Sequence, residues 1–470
     1  MNDPVVLQSK YFRKSCEIGI VHLGYGAFHR AHQAVYLDQL MEATNDRRWG
    51  IAAVNLRSSD SKAFLAASKA KDGYLVKTIA PNGEQNFRLV RPHLKFVDAT
   101  LKSNEAHALL ALPTVSMVTI TVTESGYSFK NDWSLNLEDP TIASGILGNR
   151  SETVYEFLAE ALALRARTID MPITVLCCDN IRNNGKILQN ALLAYLKAKS
   201  LLGLVDWVQK NVTFPCSMVD RITPRSTPTL QKQISLLFPE FSTAPVHAET
   251  FLQWVLEDNF ASRMPDLSKV GVQIVSNVEP YEEAKIRILN GGHTGLAYLG
   301  ALAGHLTFDQ AMSDPNLRKH FDTWEENEVL PGLDQDLPFD ARNYFYKISQ
   351  RFENKGISDQ LERICMDGYS KMAIYIRPTI EACLDKDIFP EAGFNCIASW
   401  VVYARRYQSG ACRIPYREPF WDKLKPIIVI GKENELAFNR ELWGDLPQRF
   451  SNFAPSLVGA IKEMDKKWPT

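Results

Sequence analysis

The sequence predicts an α/β chain, with a parallel-sheet domain over residues 1–279 and a mostly α-helical domain over residues 280–470. Three observations predict it. Short apolar runs rich in β-branched residues, the pattern of strands buried on both faces, occur only in the first part of the chain and end at VQIVSNV, Val272 to Val278. From Glu279 onward apolar residues recur at helix spacing, as in Ala297 to Leu306, Ser358 to Met366, Lys371 to Leu384 and Phe394 to Tyr407. Near the N-terminus a strand runs through a glycine turn into a helix, the opening βα unit of a doubly wound sheet.

Composition narrows the classes of ligand. A chain of 470 residues with 45% hydrophobic and 23% charged residues is long enough for two or three domains with real cores. Its net charge is −1, and Lys and Arg are spread along it, which argues against nucleic acid or an anionic membrane and leaves a small solute. The N-terminal MNDPVVLQSKYFRKSC lacks a basic segment followed by an apolar one, and no later run reaches the ~18 apolar residues of a membrane span, so a cytoplasmic protein is expected. Eight cysteines without a CxxC read as reduced thiols filling the core. No exposed heptad or apolar patch stands out, which favours a monomer.

The elements follow in order. Glu17 to Gly24, EIGIVHLG, is a buried strand that runs into Gly24-Tyr25-Gly26-Ala27-Phe28-His29-Arg30 and then the helical pattern of Ala31 to Met41. This is the turn of a Rossmann-type domain. Its first Gly permits the tight turn, its second lets backbone N–H groups approach a pyrophosphate, and the helix N-terminus faces the phosphate charge. His29 stands in the place of the third Gly. Gly24, Gly26, Phe28, His29 and Arg30 are therefore expected around a dinucleotide. His29 and His32 lack a third ligand at metal spacing, so they read as packing or capping residues and no metal is expected. Trp49 to Leu56 is the second strand, at whose end an acid would hold the adenosine ribose. The nearest acid is Asp60, which favours NAD, whereas Arg57 with Ser58 and Ser59 would suit the phosphate of NADP. Ser116 to Thr123 and Pro172 to Cys178 are further strands, and ligands in such sheets lie beyond the carboxyl ends. That places Glu124 and Asn180 to reach cofactor or substrate. Asp179 reads as a cap or turn residue. Asp220 ends a short apolar run and is expected on the substrate side.

The stretch Glu279 to Gly304, EPYEEAKIRILNGGHTGLAYLGALAG, carries the expected chemistry. Wound at about 100° per residue, it brings Glu282, Lys285, Asn290 and His293 within an arc of roughly 140°. Gly291-Gly292 in mid-helix costs about 1 kcal/mol per residue against Ala, which marks a place where another group approaches closely. A Lys buried among Ile286, Ile288 and Leu289 would lose solvation and titrate nearer the working pH of a base. Lowering it from near 10.4 to about 8 costs on the order of 3 kcal/mol. Beside a nicotinamide, Lys285 would take the hydroxyl proton of a secondary alcohol, with no metal needed. Amide N–H groups of Asn180 and Asn290 would steady the alkoxide, each donor being typically worth about 10²–10³ in rate. His293 would fix the alcohol or orient the lysine, and Glu282 would relay the proton to water.

Six segments resemble the polyol-specific long-chain dehydrogenases, the family of mannitol 2-dehydrogenase, arabinitol 4-dehydrogenase, and fructuronate and tagaturonate reductase. They are GYGAFHRAHQA (Gly24 to Ala34), TESGYS (Thr123 to Ser128), CCDNIRNNG (Cys177 to Gly185), MVDRITP (Met218 to Pro224), FLQWVLEDNF (Phe251 to Phe260) and KIRILNGGH (Lys285 to His293), in the family's order. The resemblance implies an NAD(P)-dependent, zinc-independent interconversion of a sugar alcohol, or a hydroxy acid, with its keto form. It implies Lys285 as base, Asn180 and Asn290 as the oxyanion site, His293 as a substrate contact, and Arg363 and Lys371 as distal substrate-binding cations. Ser125 stands where family members commonly have Lys, and Ala373-Ile374 where they have Pro-Lys. Arg377 falls where mannitol enzymes usually have an apolar residue, and its guanidinium would suit a carboxylate, which keeps a keto sugar acid open as the alternative substrate.

Overall fold

A computed structural model describes residues 5–70, 72–130, 132–149, 151–333 and 336–469. The chain forms two compact units, one of Met1–Ala80 with Glu84–Glu279 and one of Pro81–Gly83 with Pro280–Thr470.

The first unit is built on six parallel strands: β1 (Ile18–Leu23), β2 (Gly50–Asn55), β3 (His93–Asp98), β4 (Met117–Ile120), β5 (Ile173–Cys177) and β6 (Val212–Thr213). Their order in the sheet is β3-β2-β1-β4-β5-β6, so the direction of winding reverses between β1 and β4. That reversal opens a crevice beyond the carboxyl ends of those two strands. The strands alternate between two cores. Val21, Leu23, Val54, Val118, Ile120 and Val175 face the helices Val154–Thr168 and Asn184–Ala198, whereas Ile20, Ile51, Met117 and Leu176 face the helix Gln33–Thr44 and Trp254. Both faces are covered, which is why the strands read as unbroken apolar runs.

Two smaller sheets complete the unit. Val6–Gln8, Gln85–Val90, Tyr74–Ile79 and Val246–Glu249 form one, and Ser217–Asp220, Gln253–Glu257 and Gln273–Val275 the other. The run Val272 to Val278 is strand only over Gln273–Val275, its residues partly exposed. Strands over Tyr74–Ile79, Gln85–Val90 and β3 were not among those read from the sequence; each mixes charged with apolar residues, Lys77 in the first, Arg88 in the second, Lys95 and Asp98 in the third.

The second unit is helical. Its central helix runs without a break from Glu279 to Leu302, but over Lys285–Gly291 the winding is π-helical. Two further π-helical turns, Glu325–Val329 and Met372–Ile376, pack against this one. The meeting point is the glycine pair. A Cβ on Gly291 would lie 3.2 Å from the Tyr375 carbonyl oxygen, and one on Gly292 would overlap the Glu325 carboxyl and lie 2.9 Å from the Phe321 ring. The close approach expected at Gly291-Gly292 is therefore that of two neighbouring π turns. The helix Glu391–Gln408 packs against both Gly292–Leu302 and the last helix, Phe453–Lys467.

Candidate active site

In the sheet unit the turn after β1 is fixed by contacts that only glycine allows. Gly24 has φ of 95°, and a Cβ there would overlap the Thr121 carbonyl. Its own carbonyl accepts from the Thr121 hydroxyl at 2.9 Å and its N–H reaches Val54 O. Gly26 caps the short helix Ala27–Ala31 and is exposed, and a Cβ there would meet nothing within 4 Å. The Gly26 N–H donates to Gly24 O at 2.8 Å, and the open space beside this residue, at the start of the helix, fits a pyrophosphate. Phe28 is half-buried and stacks on His32, with ring centroids 4.9 Å apart.

His29 and Arg30 turn inward. The His29 ring stacks on His22 at 3.3 Å, and its Nε2 lies 2.9 Å from Nε2 of His93, so one of these nitrogens donates to the other. All three imidazoles are fully buried; loss of hydration pushes His22 down to about 3 and the other two well below the usual histidine value. Arg30 lies over the rings of Tyr25 and Tyr74 and donates to Ala244 O. His32 is paired with Gln253 O at 2.8 Å. Both histidines of the turn thus pack, and among the described residues no group of three or more His, Cys, Asp or Glu is arranged to hold a metal.

At the ends of β4 and β5, Glu124 and Asn180 are exposed. Asp179 does more than close a local turn. It accepts from the backbone N–H of Val122 at 2.9 Å, that of Thr123 at 3.1 Å, and the Tyr127 hydroxyl at 2.7 Å. It thereby holds Thr123 at φ of 69°, an unfavourable value for a β-branched residue, and so fixes the loop that presents Glu124. Asp220 is buried at the end of its strand, paired in register with Gln253. Asp60 is exposed on the helix Ser58–Ala67 and ion-pairs with Arg57 at 3.0 Å.

In the helical unit Lys285 is 7% exposed and begins the π-helical segment. Residues five apart differ by about 140° on a regular helix; closing the backbone from i to i+5 brings the fifth residue round towards the first, and Asn290 turns towards the side of Lys285. His293 is enclosed by aromatic rings, edge-on to Phe308 at 4.3 Å and stacked on Phe352 at 5.0 Å. Burial pushes its pKa down to about 3, against the pull of Asp359, so the ring is neutral. Asp359 lies 3.7 Å from the His293 Nε2 and takes the Arg363 guanidinium on both oxygens, Nε at 2.9 Å and Nη2 closer. Lys371 donates to Ile364 O at 2.8 Å, with burial lowering its pKa. The structure therefore joins His293 and Arg363 through Asp359, with Lys371 close enough for its charge to act on both, and sequence reasoning passed over Asp359 because its only local signal was an i,i+4 pairing with Arg363. Arg377 is half-buried, with Nη1 on Leu442 O at 3.1 Å.

Two family models cover nearly all of the chain, the mannitol dehydrogenase Rossmann domain over residues 18–269 and the mannitol dehydrogenase C-terminal domain over residues 277–465. The chain belongs to the mannitol dehydrogenase family. It is 34% identical over 434 residues to D-arabinitol 4-dehydrogenase of Klebsiella pneumoniae, covering 91% of this chain and 94% of that one. To D-mannonate oxidoreductase of Escherichia coli it is 35% identical over 375 residues, covering 76% of this chain and 74% of the other. The mannitol 2-dehydrogenase of Pseudomonas fluorescens, solved as a ternary complex with NAD and D-mannitol, matches with a TM-score of 0.84 at 31% identity, covering 98% of this chain and 93% of that one. The family membership makes this chain a polyol oxidoreductase with a dinucleotide-binding Rossmann domain. Among the described residues no helix is long and apolar enough to cross a membrane.

Proposed function

We propose that the chain oxidises a secondary hydroxyl of a mannitol- or arabinitol-like polyol to the ketose, and catalyses the reverse reduction, using NAD. The turn after β1 would hold the pyrophosphate of the dinucleotide, whose nicotinamide would supply the hydride chemistry. Lys285 Nζ takes the hydroxyl proton during oxidation. The observation that carries this role is the lysine's burial on a π-helical turn, with Asn290 brought round to its side. A positioned base of this kind contributes typically about 10²–10⁴ in rate. Amide N–H groups of Asn290 and Asn180 donate to the alkoxide, and His293, held neutral by burial, orients the alcohol. Arg363 and Lys371 hold distal hydroxyls, and Asp220 lies on the substrate side. Gly24, Gly26, Phe28, Asp60 and Glu124 are assigned to the dinucleotide, whereas the inward packing of His29 and Arg30 supports an indirect part in shaping the turn. No metal takes part in this scheme. Eight free cysteines suit a reducing compartment, the cytoplasm.

A second reading has one observation of its own. Arg377, together with similarity to a mannonate oxidoreductase, favours reduction of a keto sugar acid such as fructuronate or tagaturonate. Following NADH and NADPH absorbance against a panel of ketoses and keto sugar acids separates the two readings. Lys285→Ala is expected to abolish turnover while leaving NADH binding nearly intact; a variant that kept most of its rate would remove Lys285 from the role of base.

A further inference from the structure

In this fold the choice between NAD and NADP is made at the carboxyl end of β2, where an acid holds the ribose hydroxyls and repels a 2′-phosphate. Here the strand ends in Asn55, whose side-chain amide donates to Arg57 O at 2.9 Å and to Asp98 at 3.1 Å. Asp98 is itself buried and taken up by the Ser61 and Thr100 hydroxyls. Arg57 and Asp60 pair with each other, both about half exposed. The start of the helix Ser58–Ala67 still offers two donors, the Ser58 backbone N–H and hydroxyl. A phosphate in this position would use both.

Both are already taken by an anion of the chain. Glu152 Oε2 accepts from the Ser58 N–H at 2.8 Å and from the Ser58 hydroxyl at 3.1 Å, across 94 residues of sequence. Glu152 directly precedes Thr153, the residue that caps the helix Val154–Thr168, so its backbone is anchored at a helix start.

We propose that Glu152 is the residue that makes the dinucleotide site select NAD. Its carboxylate fills the donors a 2′-phosphate would need and supplies the acid that Asn55 does not. A phosphate brought there meets a like charge at hydrogen-bond distance and finds Ser58 engaged. A 2′-hydroxyl can donate to the same carboxylate. Arg57 and Ser59, which as a sequence look ready for NADP, are thereby overruled. The inference rests on the proposed binding of a dinucleotide at the turn after β1.

The test measures dissociation constants for NAD and NADP by calorimetry, alongside kcat/KM with each, in the wild type and in Glu152→Gln, Glu152→Ala and Asp60→Asn. Gln keeps a carbonyl for the Ser58 N–H and loses only the charge, so an unchanged melting temperature shows that the fold is intact. The wild type is expected to bind NAD at least tenfold more tightly than NADP. Glu152→Gln should shift that ratio at least tenfold towards NADP, and Glu152→Ala, which also frees Ser58, should shift it further. A wild type that prefers NAD, with the ratio moved by Asp60→Asn and not by either Glu152 variant, overturns the inference and leaves the proposed function standing. A wild type that prefers NADP also overturns it, and one that binds neither dinucleotide overturns the proposed function as well.

Discussion

The two glycines of the turn after β1 do different work, and exchanging each for alanine separates fold from ligand. At Gly24 the added Cβ lies 2.9 Å from the Thr121 carbonyl carbon and closer still to its oxygen, on a backbone with φ of 95°. The left-handed conformation costs an L-residue about 1–2 kcal/mol. Forcing a methyl into a packed strand adds about 1–3 kcal/mol, because neither β1 nor β4 can retreat within a six-stranded sheet. Gly24→Ala should therefore lose about 2–5 kcal/mol of stability in all. At Gly26 the new methyl meets nothing and φ is −80°. Loss of a glycine cap and the gain from a stiffer unfolded chain nearly cancel, so Gly26→Ala should stay within about 1 kcal/mol of wild type. Its methyl, however, points into the space assigned to the pyrophosphate, and NADH affinity should fall by about tenfold or more. Urea midpoints for the two variants, with NADH titrations followed by fluorescence, give the four numbers required. A Gly26→Ala protein that binds NADH like wild type, or a Gly24→Ala protein of unchanged midpoint, would refute the geometry.

Two other outcomes follow from the buried charge. His22, His29 and His93 refuse protons in the folded sheet unit but accept them when unfolded, so each withdraws stability as the pH falls below about 6.5 towards its lowered value, by up to about 1.4 kcal/mol per pH unit. Amide exchange in β1 to β4, corrected for its intrinsic pH dependence, should show protection falling between pH 7 and pH 5, and flat protection would count against the buried triad. The helical unit should respond less, because Glu328, lifted to about 7 by burial, and Glu325, lifted by the same cause, act against His293 and His320: their folded forms hold a proton that the unfolded chain loses above about 4.5, so their contribution falls as the pH rises. Separately, Asp359→Ala releases Arg363 and leaves His293 without its neighbouring carboxylate. It should raise KM for the polyol by about tenfold with KM for NAD unchanged, since one charged hydrogen bond is worth roughly 1.5–3 kcal/mol; equal effects on both would assign Asp359 to the fold alone.

Legibility in the sequence followed locality. Strands buried on both faces, such as Ile18–Leu23 and Ile173–Cys177, announce themselves because every residue except His22 is apolar or small. His93–Asp98, at the sheet's edge, carries Lys95 and Asp98 among its apolar residues and was not read as a strand. Lys285, Asn290 and His293 share a helix and could be grouped by spacing alone. The π-helical winding could not, because periodicity at helix spacing does not distinguish one extra residue in a turn. Likewise Gly291-Gly292 signals close approach, but Glu325, the group that approaches, is 33 residues away by number and is named only by the fold. Glu152 and Asp359 were missed for the same reason: a lone carboxylate in a loop has no pattern until its partner is seen.

The π turn at Lys285 has an evolutionary implication. A turn that closes at i+5 holds one residue more than its neighbours, so it behaves as a single-residue insertion retained inside a helix whose flanks, Glu279–Ala284 and Gly292–Leu302, stay regular. Deleting one residue between Lys285 and Asn290 would restore ordinary winding and turn their i,i+5 spacing into i,i+4, about 40° apart on a regular helix, so the amide would stay on the amine's side. Within this lineage that hexapeptide should tolerate the loss of one residue, whereas a second deletion would rotate the amide by about 100°.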